Sequence, residues 1–252
     1  MILLPPLLLL LVLVAGAFAA SEAGYWLGRV TGPRDEPFDR QLGIVRGATF
    51  AVVAFLIGFA FSGAASRYVE RLDIIAKEAN ALGTAWLRAD TLSEPARSKL
   101  KVALREYTAD RVALLEEEEL SGILARIAKA GNFHDRMWKA ALEGTQGNPT
   151  LALLVLPSVN EVIDLHTVHL SAARRHLPTA IFVALLVTAG LSLGLAAFGH
   201  GQVARRFMLL DLMYGVVLAA ALWMTIDLDY PRYGFIRANS APLAEALAGM
   251  NP

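Results

Sequence analysis

The chain contains no cysteine. That removes disulfides, thiolate nucleophiles and cysteine-ligated metal or iron–sulfur centres, and it leaves the redox compartment unreadable. Net charge is absent as well: 23 Lys and Arg balance 23 Asp and Glu, so no basic field exists to hold nucleic acid. No Gly-x-Ser-x-Gly elbow, phosphate loop or His-Glu-x-x-His pair occurs, which takes away the common routes to hydrolysis, nucleotide chemistry and zinc catalysis. The sequence reads as non-enzymatic and without a cofactor. Basic residues are also missing from the first two dozen positions, whereas a secretory signal opens with positive charge. "AGAFAASEA" does offer the Ala-x-Ala pattern of a cleavage site, yet the apolar run continues through Tyr25, Trp26 and Leu27, an aromatic pair suited to a membrane interface. The first apolar segment is therefore expected to be retained.

What the chain has in quantity is apolar sequence. Of 252 residues 56% are hydrophobic and the mean hydropathy is +0.48, high for a soluble domain and low for a protein lying wholly in lipid. A mixed architecture follows. Four stretches, about 2–28, 43–65, 178–199 and 207–226, reach the roughly 20 residues that a transmembrane helix needs. Between the second and third, residues 66–177 hold 30 charges, 15 of each sign, and form the water-facing part. Four spans put both termini on the side of that segment. Arg67, Arg71, Lys77, Arg174, Arg175, Arg232 and Arg237 flank the membrane there, against Arg29, Arg34, Arg40, Arg205 and Arg206 on the opposite loops. This excess of basic residues predicts cytoplasmic termini and a cytoplasmic 66–177 segment.

Helical signals dominate 66–177, with no strand-like alternation and no internal repeat. Thr91-x-x-Glu94 and Ser158-x-x-Glu161 read as capping boxes, the second directly after Pro157, so a helix is expected to begin near each. Leu100, Leu104, Tyr107, Arg111 and Leu114 recur every three or four residues, predicting an apolar stripe interrupted by the aliphatic stem of an arginine. "GNF" at 131–133 and "EGTQGNPT" at 143–150 are the expected breaks. The stretch "FLIGFAFSGAASRYVERLD" at 55–73 turns from apolar to charged without a proline. Beyond it Val69, Leu72, Ala76, Ala79 and Leu82 or Gly83 keep helical spacing, so one helix is predicted to leave the hydrocarbon near Ser62–Arg67 and continue into water.

On a helical wheel the second span collects Gly43, Gly47, Ala51, Ala54, Gly58, Ser62 and Ala65 within about 100°. Gly24-x-x-x-Gly28 and Gly190-x-x-x-Gly194 mark two other spans. Such seams suit close helix packing, within one chain or between copies. Arg46 sits inside the second span and Asp211 near the start of the fourth, on the same side, and intramembrane charges are expected to pair. Arg67 and Arg71 stand opposite Asp227 and Asp229 at the other face. A functional alternative makes Arg46 an anion attractor at a pore mouth. Phe55 and Phe59, one turn apart, read as packing or as a hydrophobic constriction. Arg46 lies some 140–180° from them on the wheel, so the three cannot line one straight lumen.

His166 and His169, with Glu161 and Asp164 nearby, lack the three or four converging ligands that zinc needs, which favours packed or hydrogen-bonded histidines over a metal site. Glu116–Glu119 lacks the spacing and central glycine of a calcium loop and reads as a solvated helix face.

Several motifs together carry a family resemblance: "SRYVERLDIIAKEANALGTAWLRAD" after a span, "LREY", "NEVIDLHTVHL" before "RRHLPTAIF", and "DLDYPRYGFIRANSAPL". Over about 43–245 the chain resembles the bestrophin-like domain family of bacterial integral membrane proteins and, more remotely, the bestrophin anion channels. The resemblance implies an all-α multi-pass membrane protein, one bestrophin-like domain over 1–252, in the inner membrane. It also implies a homo-oligomer, pentameric on the bestrophin pattern, passing small anions. In bestrophins a glycine–phenylalanine step on the second transmembrane helix is followed eight residues later by an arginine and an aromatic. Gly58-Phe59 and Arg67-Tyr68 match that spacing, so Phe59 would be the neck residue and Phe55 its extension. Ala60, Phe61 and Ser62 replace the polar residues that follow the neck, and the acidic calcium clasp has no counterpart. The alternative is a non-conducting scaffold that docks a partner through its cytoplasmic helices, the stripe after Pro95 in particular.

Overall fold

A computed structural model describes residues 5–232 and 234–251. Among the described residues there are eight helices and no strand: α1 (Pro6–Thr31), α2 (Glu36–Ala89), α3 (Ala96–Glu116), α4 (Leu120–Thr145), α5 (Pro149–Arg174), α6 (Thr179–Gln202), α7 (Met208–Asp229) and α8 (Ala241–Gly249). The chain is an all-α multi-pass membrane protein, its four apolar spans lying in α1, α2, the Pro149–Gln202 stretch that holds α6, and α7. Proline explains the length of α2. Pro37 stands in its first turn, where a missing N–H costs nothing, and no proline occurs between it and Pro95. The helix runs unbroken through Ser62–Leu72.

The helices sort into two compact units: Met1–Ser66 with His176–Ile236, and Arg67–Arg175 with Arg237–Pro252. α2 contributes to both, and the division falls between Ser66 and Arg67. In the first unit α1 packs along α6 and α7. A Cβ on Gly24 would fall on the Gly194 backbone, one on Gly28 on the Phe198 backbone, and one on Gly201 on the Tyr25 backbone. These glycines thus let two backbones touch, gaining dispersion contacts in a setting where lipid supplies no hydrophobic drive. Val53, Ile57 and Ala60 of α2 meet Leu185, Ala189 and Leu193 of α6 and Leu218 and Leu222 of α7. The outer surface exposes Leu11, Val183, Leu191 and Val217 among other large apolar side chains, which suits lipid.

The second unit is a bundle of the rest of α2 with α3, α4, α5 and α8. Leu82, Leu100, Leu104, Met137, Val155, Val159 and Leu243 are its core. Three expected boundaries move. "GNF" does not break α4, because an exposed glycine costs a helix only about 1 kcal/mol and nothing crowds Gly131. α5 begins at Pro149 rather than after Pro157: Asn148 caps it by accepting from the Leu151 amide at 3.1 Å. It carries Pro157 internally, and Ser158 Oγ bonds the Val155 carbonyl at 2.7 Å. At the other box, Thr91 Oγ1 closes α2 on the Arg88 carbonyl and Glu94 accepts from the Ser98 amide and hydroxyl, so α3 starts at Ala96. The 143–150 break stands, with Gly147 at φ +74, a conformation glycine adopts at no steric cost.

Candidate functional site

In the first unit, one face of α2 buries Val53, Ile57, Ala60 and Ala64 while the opposite face is open. Gly43, Gly47, Ala51, Ala54, Gly58 and Ser62 are exposed there, and nothing comes within 4 Å of a Cβ placed on Gly43, Gly47 or Gly58. The α2 small-residue seam is therefore not used against the chain's own helices, unlike the α1–α6 seam. Phe55 and Phe59 are 70% and 69% exposed on this face. Their rings stack at 6.5 Å with 20° between planes. Arg46 points away from them: its guanidinium lies against Gly199 of α6.

The expected Arg46–Asp211 pair gives way to a different one. Asp211 holds His200 at 3.1 Å, because the α6–α7 turn brings that imidazole nearer than the Arg46 side chain, which is spent on α6. Arg206 pairs with Glu22 beside it and lies 4.5 Å over the Tyr25 ring. At the far end of α7 the acidic residues serve the backbone. Asp227 accepts from the Phe235 and Ile236 amides, each at 2.9 Å. Asp229 accepts from the Leu177 amide at 2.8 Å, while His176 stacks on Tyr230 at 4.1 Å. In the second unit Arg71 donates to the carbonyls of Ala172 (3.3 Å) and Arg175 (2.6 Å), fastening the end of α5 to α2. Arg67 opens the unit, half-buried.

The densest polar arrangement lies inside the second unit. Glu78 and Arg111, 0% and 1% exposed, form a two-pronged ion pair, Nε to Oε1 at 2.5 Å and Nη2 to Oε2 at 3.0 Å. Tyr107 Oη reaches Glu78 Oε1 and His166 Nδ1, both at 3.2 Å. His169 Nδ1 lies 3.1 Å from Glu78 Oε2. The His134 ring stands edge-on to His166 at 4.9 Å. Burial by itself would raise the Glu78 carboxyl, but the His169 hydrogen bond and the Arg111 charge prevail and hold it at about 2. Burial and then the Glu78 charge push the Tyr107 phenol well up. Burial, followed by the Arg111 charge, lowers His166 to about 4 and lowers His134 as well. Among the described residues no group of three or more His, Asp or Glu is arranged to hold a metal.

This knot corrects two sequence expectations. Arg111 brings more than an aliphatic stem to the stripe, since the guanidinium itself is buried against a carboxylate. The buried face of α2 is also turned by about one residue: Arg71, Ile74, Ile75, Glu78, Leu82 and Ala85 face inward, while Val69 and Ala76 are exposed. A charge of each sign satisfying the other made a charged position a core position. The available signal was a Tyr-x-x-x-Arg pair at helical spacing on an otherwise apolar stripe.

A family model described as Bestrophin-like domain matches residues 15–243. Among solved structures, a mutant of a bacterial bestrophin homologue from Klebsiella pneumoniae is similar at TM-score 0.65 and 17% identity, covering 97% of this chain and 95% of that one. A second mutant of that homologue gives 0.63 and 18%, covering 97% of each, and the crystal structure of a mutant membrane protein gives 0.61 and 16%, covering 97% and 95%. No curated protein matches the chain.

Proposed function

The chain belongs to the Bestrophin-like domain family, and from that premise we propose that it assembles into a homo-oligomeric, non-enzymatic channel for small anions in the inner membrane. On the bestrophin pattern the assembly is a pentamer, with Phe55 and Phe59 of each copy forming a hydrophobic neck and Phe59 at its matching position. One observation carries this reading. Two stacked aromatic rings stand exposed on the open face of an unbroken helix, beside glycines with open space at their Cβ positions. A single copy leaves that face unused, and a ring of copies would turn it inward or bury its glycines against neighbours. The basic excess near Arg67, Arg71, Arg174 and Arg175 supports cytoplasmic termini and a cytoplasmic 66–177 segment. Arg46, turned toward α6, is read as a structural cation, as are Arg67 and Arg71, with Asp211, Asp227 and Asp229 as structural anions.

The scaffold reading loses the stripe after Pro95 as a docking face, because Leu100, Leu104, Tyr107, Arg111 and Leu114 are buried inside the second unit. Purified protein in planar bilayers tests the channel. An anion current that changes in Phe55→Ala/Phe59→Ala supports it, and silence from particles of verified stoichiometry sinks it. Cross-linking that stops at monomer or dimer also counts against the proposal, since two copies cannot enclose a lumen.

A further inference from the structure

A neck on α2 makes no use of the buried polar knot, yet the knot is built with more care than packing needs. It draws Glu78 from α2, Tyr107 and Arg111 from α3, His134 from α4, and His166 and His169 from α5. Ionised Glu78 can only accept, and it accepts from Arg111 twice and has His169 and Tyr107 at hydrogen-bond distance. Tyr107 has a single proton. When that O–H donates to Glu78, the phenolic oxygen accepts from His166 Nδ1–H, which leaves His166 Nε2 without a hydrogen. His134 Nε2 and Arg111 Nη1 are both buried without a hydrogen-bond partner among the described residues. Two imidazoles with spare basic nitrogens therefore stand edge-on beside a fixed guanidinium.

Arg111, Tyr107 and Glu78 are closed to a further proton. Arg111 is permanently charged, Tyr107 keeps its hydrogen, and Glu78 is held ionised by its donors. His169 Nδ1 is already engaged by the ion pair, 3.1 Å from Glu78 Oε2 and 3.0 Å from Arg111 Nη2. The carboxylates near His134 and His166 are Glu78, already engaged by Arg111, and for His134 the exposed Asp135; Asp110 of α3 is engaged by Arg126. A proton added to either ring would place a second cation beside Arg111, in a site where like charges are poorly screened. That repulsion is relieved by moving α4 from α3 and α5, or by letting water in.

We propose that His134, half-buried, and His166, buried, form a proton-binding site that controls the packing of α4 against α3 and α5: the neutral pair holds the helices together, and uptake of one proton loosens them. The burial-lowered basicity of both rings agrees with this. The proposal does not depend on conduction, because it concerns the second unit alone.

The test uses the full chain in lipid nanodiscs. Hydrogen exchange, corrected for its intrinsic pH dependence, should show α4 and α5 amides losing more than about tenfold in protection between pH 6.5 and pH 4, while α6 and α7 change little. His134→Gln/His166→Phe should abolish the step. Retention of the step in that variant, or its absence from the wild type, overturns the proposal. Should the variant fail to fold, carbon-13 spectra of labelled histidine in the wild-type protein decide. Two imidazoles still neutral at pH 5.5 support the site, and all imidazoles titrating near 6.5 refute it.

Discussion

The two units spend their polar and small residues in opposite ways. In the first, backbones touch at Gly24, Gly28 and Gly201, the outer surface is apolar, and polar contacts such as His200–Asp211 join the end of one helix to the start of the next. In the second, the outer surface carries most of the chain's charge, and the middle of the core holds an ion pair surrounded by imidazoles. The difference follows from the solvent. Lipid gives no reward for gathering apolar side chains, so closeness of backbone must hold the helices. Water does reward it, so a bundle with an ample apolar core can carry a buried charge pair whose desolvation is costly.

The contrast breaks most readily at Glu78. Glu78→Ala strands the Arg111 charge and should cost the second unit about 3–5 kcal/mol, seen as a fall in denaturation midpoint by hydrogen exchange or proteolysis of 67–175. Glu78→Leu/Arg111→Met should restore most of that loss. If the single variant is as stable as the wild type, the buried pair is not what distinguishes this unit.

Acid comes next. The folded-state values of His166 (about 4 against an ordinary 6.5) and Glu78 (about 2 against 4.5) are both depressed. The unfolded chain therefore binds protons first, and stability from these groups is complete above pH 6.5. It is lost on acidification, through the histidine between 6.5 and 4 and through Glu78 between 4.5 and 2. Equilibrium unfolding of the second unit should show this slope, and raising the pH from 7 to 8 should leave the contribution from these groups unchanged.

The glycine seam sharpens the other side. Gly24→Ala forces a methyl into the Gly194 backbone and should destabilise the first unit by about 1–3 kcal/mol, read as a lower melting temperature in detergent. Gly58→Ala on the open face meets nothing in its own chain and should be neutral or gain up to about 1 kcal/mol in monomers. A loss at Gly58 confined to the assembled protein would mark a contact between copies. The smallest change in stability belongs to Phe55→Ala/Phe59→Ala, within about 0.5 kcal/mol for exposed positions, although this pair is expected to change the current.

Much of the architecture was legible because it rests on one-dimensional quantities. Spans of sufficient length, the absence of proline between Pro37 and Pro95, and the charge-rich interval between the second and third spans each follow from counting along the chain. The seams at Gly24, Gly28 and Gly194 were visible by spacing, but their partner was not: α1 and α6 spend theirs within the chain and α2 leaves its own open. Boundaries failed where a local signal met tertiary support. Pro157 stays inside α5 because the bundle holds both sides of it, and Thr91 finishes one helix instead of starting the next. The Arg46–Asp211 pairing failed because depth in a membrane is readable from position, whereas direction around a helix relative to its neighbours is not.

Sequence alone determined that this is a helical, multi-span membrane protein with one helix carried past the apolar segment into a charged region, since hydropathy, length and proline placement are local and additive. Only the tertiary structure decided which face of α2 stays open with Phe55 and Phe59 on it, and that Glu78, Tyr107, Arg111, His134, His166 and His169 meet. Those residues lie on four helices and as many as 91 positions apart. Whether a buried charge finds its counter-charge depends on how the helices dock, which no spacing along one helix encodes.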